Sequence, residues 1–499
     1  MPSSFTFRMR RSCAAKSISE TSLLTLFILA YLLLTLTIGF WAGRFIHSSA
    51  DFTLAGRQLP AFVVGVTLFA TWFGPELIMG VPAEFVQYGV KSLIIDLGGN
   101  SISLLIVGFF FARRMYRLRI VTTNDFFRLR FGARLESVTA LLNVLGYFPW
   151  IAAQFLALGI LFETLLGIPL VWGIPLGALV VVIYTYAGGM WAVSITDLLQ
   201  SVMIVAGLLY LLFTLLGIEP GSVADLWPEQ DGFWQIRPET GWANWMNHLS
   251  LWMVFGVGSV PVQEVYQRVL AARDERAAAA GAHIGALLLL VIGALPMVTA
   301  LVIVALHPEL LSGGDGQRLI PEMVRRYMGT PAQVLFFGAL ISAILSTSSG
   351  AMLAPATVIG ENLIKPHFPR LSDAQLLRVT RLGVVAVAIV AVIMAWMNES
   401  IHGLVVDSAT LTLVCVVSPF VLGTFWSRAS RRGAWASILV GLLTWLVCRA
   451  AQTTIEPWLI GMLAGWLGMV VGSFAWPDNS GRMFALEQQA RSQPKGLAS

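Results

Sequence analysis

Glu76, Asp197 and the run Ser346-Thr347-Ser348-Ser349 are polar residues set in otherwise apolar stretches. A carboxylate or a block of hydroxyls in such a setting is costly to bury, so each must bond the backbone or bind something. Glu76 closes the segment Ala70-Thr71-Trp72-Phe73-Gly74-Pro75-Glu76, where proline removes a helix hydrogen bond and glycine eases unwinding. A second interruption, Gly256-Val257-Gly258-Ser259-Val260-Pro261, is followed by Gln263 and Glu264. Carbonyls freed at the first break, with two hydroxyls from 346–349, would give the oxygen ligands that a hard cation such as Na⁺ takes. The other reading of those hydroxyls is back-bonding to carbonyls one turn earlier. Asp197 and Gln200 are spaced i, i+3 and so share a helix face. Trp72 and Trp150 could wall a pocket for a quaternary ammonium by cation–π attraction, with Glu76 as counter-charge, or could simply pack. Gln154, Ser259 and Gln263 are further polar candidates for such a pocket.

The elements that carry these residues must be membrane helices. Of 499 residues, 57% are hydrophobic and only 12% charged, and mean hydropathy is +0.77. A soluble chain this long carries roughly 25% charged residues. The shortage excludes a soluble enzyme, a nucleic-acid binder and a disordered chain. Three scattered cysteines and six scattered histidines suggest neither a disulfide framework nor a metal cluster. No nucleophile–base pair stands out, so the chain reads as a non-enzyme with no obligatory protein partner. Applying a length of about 20 apolar residues per crossing gives about thirteen spans. They are 22–44, 61–88, 92–112, 136–165, 171–188, 192–216, 246–267, 280–306, 332–358, 381–397, 402–426, 433–451 and 457–475. Spans below carry these numbers in order. The apolar run of span 1 is too long for a signal peptide and reads as a retained span.

Lys and Arg crowd alternate loops, above all Arg113–Arg134 and Arg428–Arg432. The bias predicts a multi-pass cell-membrane protein with a cytoplasmic C-terminus and an outward N-terminus, the latter at odds with Arg8, Arg10, Arg11 and Lys16. The interrupted spans 2 and 7 lie five spans apart, so they cross in opposite directions. That is the pattern of two inverted five-helix repeats, each opening with a discontinuous helix that exposes backbone at the midplane. The expected organisation is an N-terminal tail (1–21), a peripheral helix (22–44), a first repeat (61–216) and an extracellular loop (217–245). A second repeat (246–426), two peripheral helices (433–475) and a cytoplasmic tail (476–499) complete it. A secondary transporter follows as the expected class.

Four stretches together resemble the sodium:solute symporter family: Asp51-Phe52-Thr53-Leu54-Ala55-Gly56-Arg57, the broken span 2, Gly188–Gln200, and Leu345-Ser346-Thr347-Ser348-Ser349. Gln267-Arg268-Val269-Leu270-Ala271-Ala272 at the end of span 7 is similar too. The resemblance implies the ten-helix inverted-repeat core of the bacterial leucine transporter and sodium-coupled import of a small solute by alternating access. It implies a principal Na⁺ site on the carbonyls of Ala70 and Phe73 and the hydroxyls of Ser346 and Thr347. A second Na⁺ site would use Asp197 and Ser349, although Gly350 stands where members with that site offer another serine. Span 7 looks most like the choline-type branch, with Val262 in place of an expected aromatic. A proline-like amino acid, a small carboxylate, proton coupling through Asp197 or Glu76, and a ligand-sensing role stay open at this point.

Overall fold

The structure, a computed structural model, describes residues 49–217, 233–307 and 316–481, with a few isolated positions outside these stretches. Span 1, the N-terminal tail, most of the C-terminal tail and much of loop 217–245 lie outside the described residues. The described residues are helical throughout, apart from turns and a single isolated bridge between Leu59 and Ala272. Among the described residues, seven helices are long and apolar enough to cross a bilayer, or nine when each sharply bent pair counts as one. Helices satisfy their own backbone in lipid, which is why so apolar a chain takes this form.

Span 2 is the broken helix Ala61–Trp72 plus Glu76–Tyr88, bent by 53°. Span 7 runs through Trp242–Met253 and a wide turn at Val254–Gly258, opens over Ser259–Val262, and resumes at Gln263–Leu270. The two run antiparallel. Leu59, just before span 2, donates its N–H to the Ala271 carbonyl at 3.0 Å, and Arg273 N–H donates back to the Leu59 carbonyl at 2.9 Å. The start of one broken helix thus meets the end of the other, as inverted repeats require.

Span 11 is also broken: Ile401–Cys415 and Val417–Phe425 meet at 46°. The apolar run 402–426 predicts a single continuous span. Pro419 is the cause, since its ring collides with the carbonyl four residues earlier, that of Cys415.

Residues Leu170–Leu216 are helical from end to end, the stretch over which the sequence predicts spans 5 and 6, but they do not form one straight rod. The contacts of this stretch show that it doubles back. Leu170 follows the end of span 4, where Arg325 Nη1 donates to the Thr164 carbonyl at 2.5 Å. Arg325 closes the short helix that leads into Thr330–Val358. Gly207 packs against Phe336 in the first turns of that same helix. Leu170 and Gly207 are therefore on one side, whereas a straight helix would hold them about 55 Å apart.

The hydroxyl-bearing helix (Thr330–Ile364) is central, with 89% of its most apolar window buried, whereas Arg431–Ala450 is peripheral, with 28% buried. Span 2 and Glu275–Ile292 approach through small residues. A Cβ at Gly65 would lie 2.5 Å from Ile284 Cγ2, and one at Gly281 would lie 2.4 Å from Val64 Cγ1. Such close approach is how helices gain packing where lipid offers no hydrophobic drive.

Candidate functional site

The break in span 2 positions the first set of groups. Phe73 leaves the helical region (φ −86°, ψ 56°), and Pro75, with no N–H, leaves the chain to restart as a wide turn at Glu76–Gly80. The Ala70 carbonyl at this break accepts a hydrogen bond from Thr347 Oγ1 at 3.2 Å. One residue earlier on the hydroxyl-bearing helix, Ser346 Oγ donates to Asp197 Oδ1 at 2.5 Å. Gln200 bonds Ser342 one turn away, so the i, i+3 pair of span 6 zips onto the i, i+4 pair of span 9. Ala70, Phe73, Asp197, Gln200 and Ala343 line a small cavity.

The four consecutive hydroxyls divide their roles. Ser348 back-bonds to the Ile344 carbonyl at 2.5 Å, as a structural serine does. Thr347 and Ser346 face span 2 and span 6, while Ser349 Oγ is buried without a partner. Asp197 Oδ2 is likewise buried and unpartnered. Two carbonyl-bearing residues, two hydroxyls and a carboxylate with a spare oxygen form the all-oxygen set that fits a hard monovalent cation. Ala343 was missed from the sequence; its place one turn before Ser346 and Thr347 was the available signal.

Arg268, fully buried on span 7, sits beside this set. Its Nε donates to the Thr67 carbonyl at 3.2 Å and its Nη1 to the Glu264 carbonyl at 3.0 Å. A Cβ at Gly350 would lie 2.6 Å from its Nη2. Glycine at 350 is therefore what makes room for a guanidinium where a serine would collide.

A second cavity lies between spans 2, 3, 4, 7 and 11, with Trp72, Tyr147, Trp150 and Phe255 as its aromatic wall. Tyr147 and Trp150 have ring centroids 6.1 Å apart. Two carboxylates reach it. Glu264 is held by the Tyr147 hydroxyl, which also accepts from the Glu264 N–H at 3.0 Å. Glu76 is buried with Oε1 unpartnered. Ser259, from the opening of span 7, lines the same space with Val262 and Thr412.

Of the six expected substrate residues, Trp72, Glu76, Trp150 and Ser259 line the cavity, and two do not. Gln263 Oε1 accepts from the Thr123 N–H at 2.7 Å, and its Nε2 donates to the Val121 carbonyl at 3.3 Å. It ties span 7 to the 121–123 turn, and its neighbour Glu264 faces the cavity instead. The reason is the restart after Val262 (ψ 138°), which sets helix phase by geometry that the sequence does not print. Gln154 is buried toward Gly74, its Oε1 3.5 Å from where a Cβ there would be. Glu264, Tyr147 and Phe255 were not foreseen as lining residues; aromatic and acidic residues at the lips of the breaks were the signal.

Residues 52–441 match the sodium:solute symporter family. A high-affinity choline transporter of Caenorhabditis elegans is 28% identical over 462 residues, covering 84% of this chain and 77% of that protein. The osmoregulated proline transporter OpuE of Bacillus subtilis is 27% identical over 459 residues, covering 87% and 92%. Among solved structures, a substrate-bound, outward-open Na⁺-coupled sialic acid symporter superposes with a TM-score of 0.77 at 19% identity. It covers 91% of this chain and 99% of that one, which establishes a common fold. The broken antiparallel helices, the oxygen-rich junction between spans 2 and 9 and the match over most of the chain agree: this multi-pass membrane protein belongs to the sodium:solute symporter family.

Proposed function

We propose that this symporter imports a small organic cation of the choline type together with Na⁺. The observation that carries the reading is Glu76: a buried carboxylate with an unpartnered oxygen, in a cavity walled by Trp72, Tyr147, Trp150 and Phe255. Aromatic faces and one free carboxylate favour a quaternary ammonium over an anion, which would meet Glu76 and Glu264 with like charge. The likeness to choline transporters supports the same choice. A proline-type zwitterion is the second reading, favoured by the likeness to the proline transporter.

In this account Na⁺ is held by the carbonyls of Ala70 and Phe73 and the hydroxyls of Ser346 and Thr347. The ion joins the break of span 2 to span 9 and so favours the state in which both are in place; substrate binding to that state is strengthened by differential affinity. Asp197 anchors Ser346, and Ser349 is its nearest candidate companion for a second ion. Arg268 fills the space beside Gly350 with a fixed positive charge, so one coupling ion is the proposed stoichiometry. The Arg- and Lys-rich loops favour a cytoplasmic C-terminus. A thermal-shift screen of purified protein, with and without Na⁺, tests the substrate class. Choline should stabilise in a Na⁺-dependent way that Trp72→Ala and Trp150→Ala remove; stabilisation by monocarboxylates alone overturns the reading.

A further inference from the structure

We propose that Glu76, Asp96 and His402 form a binding site for a divalent transition-metal ion of the zinc or cobalt class, at the mouth of the central cavity. The three come from three different helices, the second half of span 2, span 3 and the first turn of span 11. One ligand atom from each lies within 4.8 Å of the others. Glu76 and Asp96 are 6% and 2% exposed, and His402 Nδ1 is 3.9 Å from Asp96 Oδ1. Glu76 Oε1, Asp96 Oδ1 and His402 Nδ1 are all buried without a hydrogen-bond partner. Two buried carboxylates and an imidazole that satisfy no one else are groups waiting for a shared cation.

The donor set selects the metal. Imidazole nitrogen with carboxylate oxygen suits zinc-class ions, whereas Na⁺, Ca²⁺ and Mg²⁺ take oxygen ligands. At metal–ligand distances of about 2.1 Å, ligands on a tetrahedral ion sit about 3.4 Å apart, so side-chain rotations of about 1 Å complete the site. His402 is brought in by the Ser400 cap on Gly403 (3.0 Å) and by Gly80, where a Cβ would lie 3.5 Å from the His402 backbone nitrogen. Three protein ligands leave a fourth position open. Asp96 and His402 also line an outer cavity with Lys91, Glu239, His248 and Glu456, on the side that carries the 217–245 loop, which would give an ion its way in.

An ion here would fasten spans 2, 3 and 11 to one another where the two cavities adjoin: Glu76 lines the central one, Asp96 and His402 line the outer one, and Phe255 lines both. Bound metal therefore inhibits transport by holding that junction shut. The site does not depend on the identity of the transported solute, and its test is run without solute. Purified full-length protein is titrated with Zn²⁺ by calorimetry and with Co²⁺ by visible absorption, alongside His402→Ala and Asp96→Asn. The expected result is one ion per chain, ligand-field bands that Zn²⁺ displaces, and affinity reduced roughly 10–100-fold or more in each variant. Folding of the variants is checked by their helical circular dichroism and monodisperse elution. Absence of saturable binding in the wild type, or equal affinity in folded variants, overturns the proposal.

Discussion

If the central cavity selects a positive charge, replacing the ammonium nitrogen by carbon should cost more than any loss of shape. Dimethylbutanol, the uncharged carbon isostere of choline, keeps the hydroxyl and the three methyl groups. Removing the charge removes its attraction to Glu76, worth about 3 kcal/mol at a separation of about 5 Å and an effective dielectric of about 20. It also removes cation–π contacts with Trp72 and Trp150, about 0.5–2 kcal/mol each. Against this stands the ammonium's own desolvation, which the uncharged isostere does not incur. A net preference for choline of about 2–3 kcal/mol remains, or roughly 30–150-fold in affinity. Competition of both compounds against labelled choline, binding to protein in Na⁺, measures the ratio. Glu76→Gln keeps the side chain's size and removes the attraction of about 3 kcal/mol, roughly 150-fold, so the preference for choline should all but vanish with little effect on the isostere. An isostere that competes within about threefold of choline, or a ratio unchanged in Glu76→Gln, would refute charge selection in this pocket.

Other consequences follow from single contacts. Ser346→Ala and Thr347→Ala each remove one oxygen from the proposed Na⁺ set and should raise the Na⁺ concentration for half-maximal substrate binding by about tenfold; unchanged Na⁺ dependence in both would remove these hydroxyls from the site. Gly350→Ser should push Arg268 from a 2.6 Å contact and put its bonds to the Thr67 and Glu264 carbonyls at risk. Bonds from charged donors are worth about 1.5–3 kcal/mol each, so a loss of about 2–4 kcal/mol in denaturant unfolding is expected; wild-type stability would mean the guanidinium moves freely. Substrate binding against Na⁺ concentration should give a Hill coefficient near one if Arg268 supplies the second positive charge; a coefficient near two would assign an ion to Asp197 and Ser349. Gly89→Ala should be strongly destabilising, because φ is +78° and a Cβ would lie 2.3 Å from the Phe233 carbonyl oxygen, which accepts from the Val90 N–H at 2.9 Å; normal folding of that variant would show that this bond can give way.

Much of the architecture was legible because lipid makes sequence patterns blunt. Gly74-Pro75 and Gly256 to Pro261 marked the two discontinuous helices by covalent chemistry alone, and the structure breaks there. Asp197, Gln200 and the hydroxyl run were legible as exceptions in apolar helices, and they do meet one another. What was not legible depends on phase and distance. The kink of span 11 was signalled by Pro419 alone, acting on a carbonyl four residues away. The choice between Gln263 and Glu264 rests on a rotation of about 100° per residue after an irregular turn. Arg268 reads in sequence as the end of a span and a topology charge; only packing reveals it as a buried cation against Gly350. The Glu76–Asp96–His402 cluster draws on three spans, and no spacing along one helix could announce it.

The most direct test of the account is uptake into proteoliposomes containing the purified protein. With choline outside, the account predicts accumulation only under an inward Na⁺ gradient. Accumulation should collapse when a Na⁺ ionophore dissipates that gradient, persist when a proton gradient is abolished at constant Na⁺, and fall sharply in the double variant Ser346→Ala, Thr347→Ala. Accumulation that is driven by protons, or that proceeds equally without a Na⁺ gradient, would contradict it.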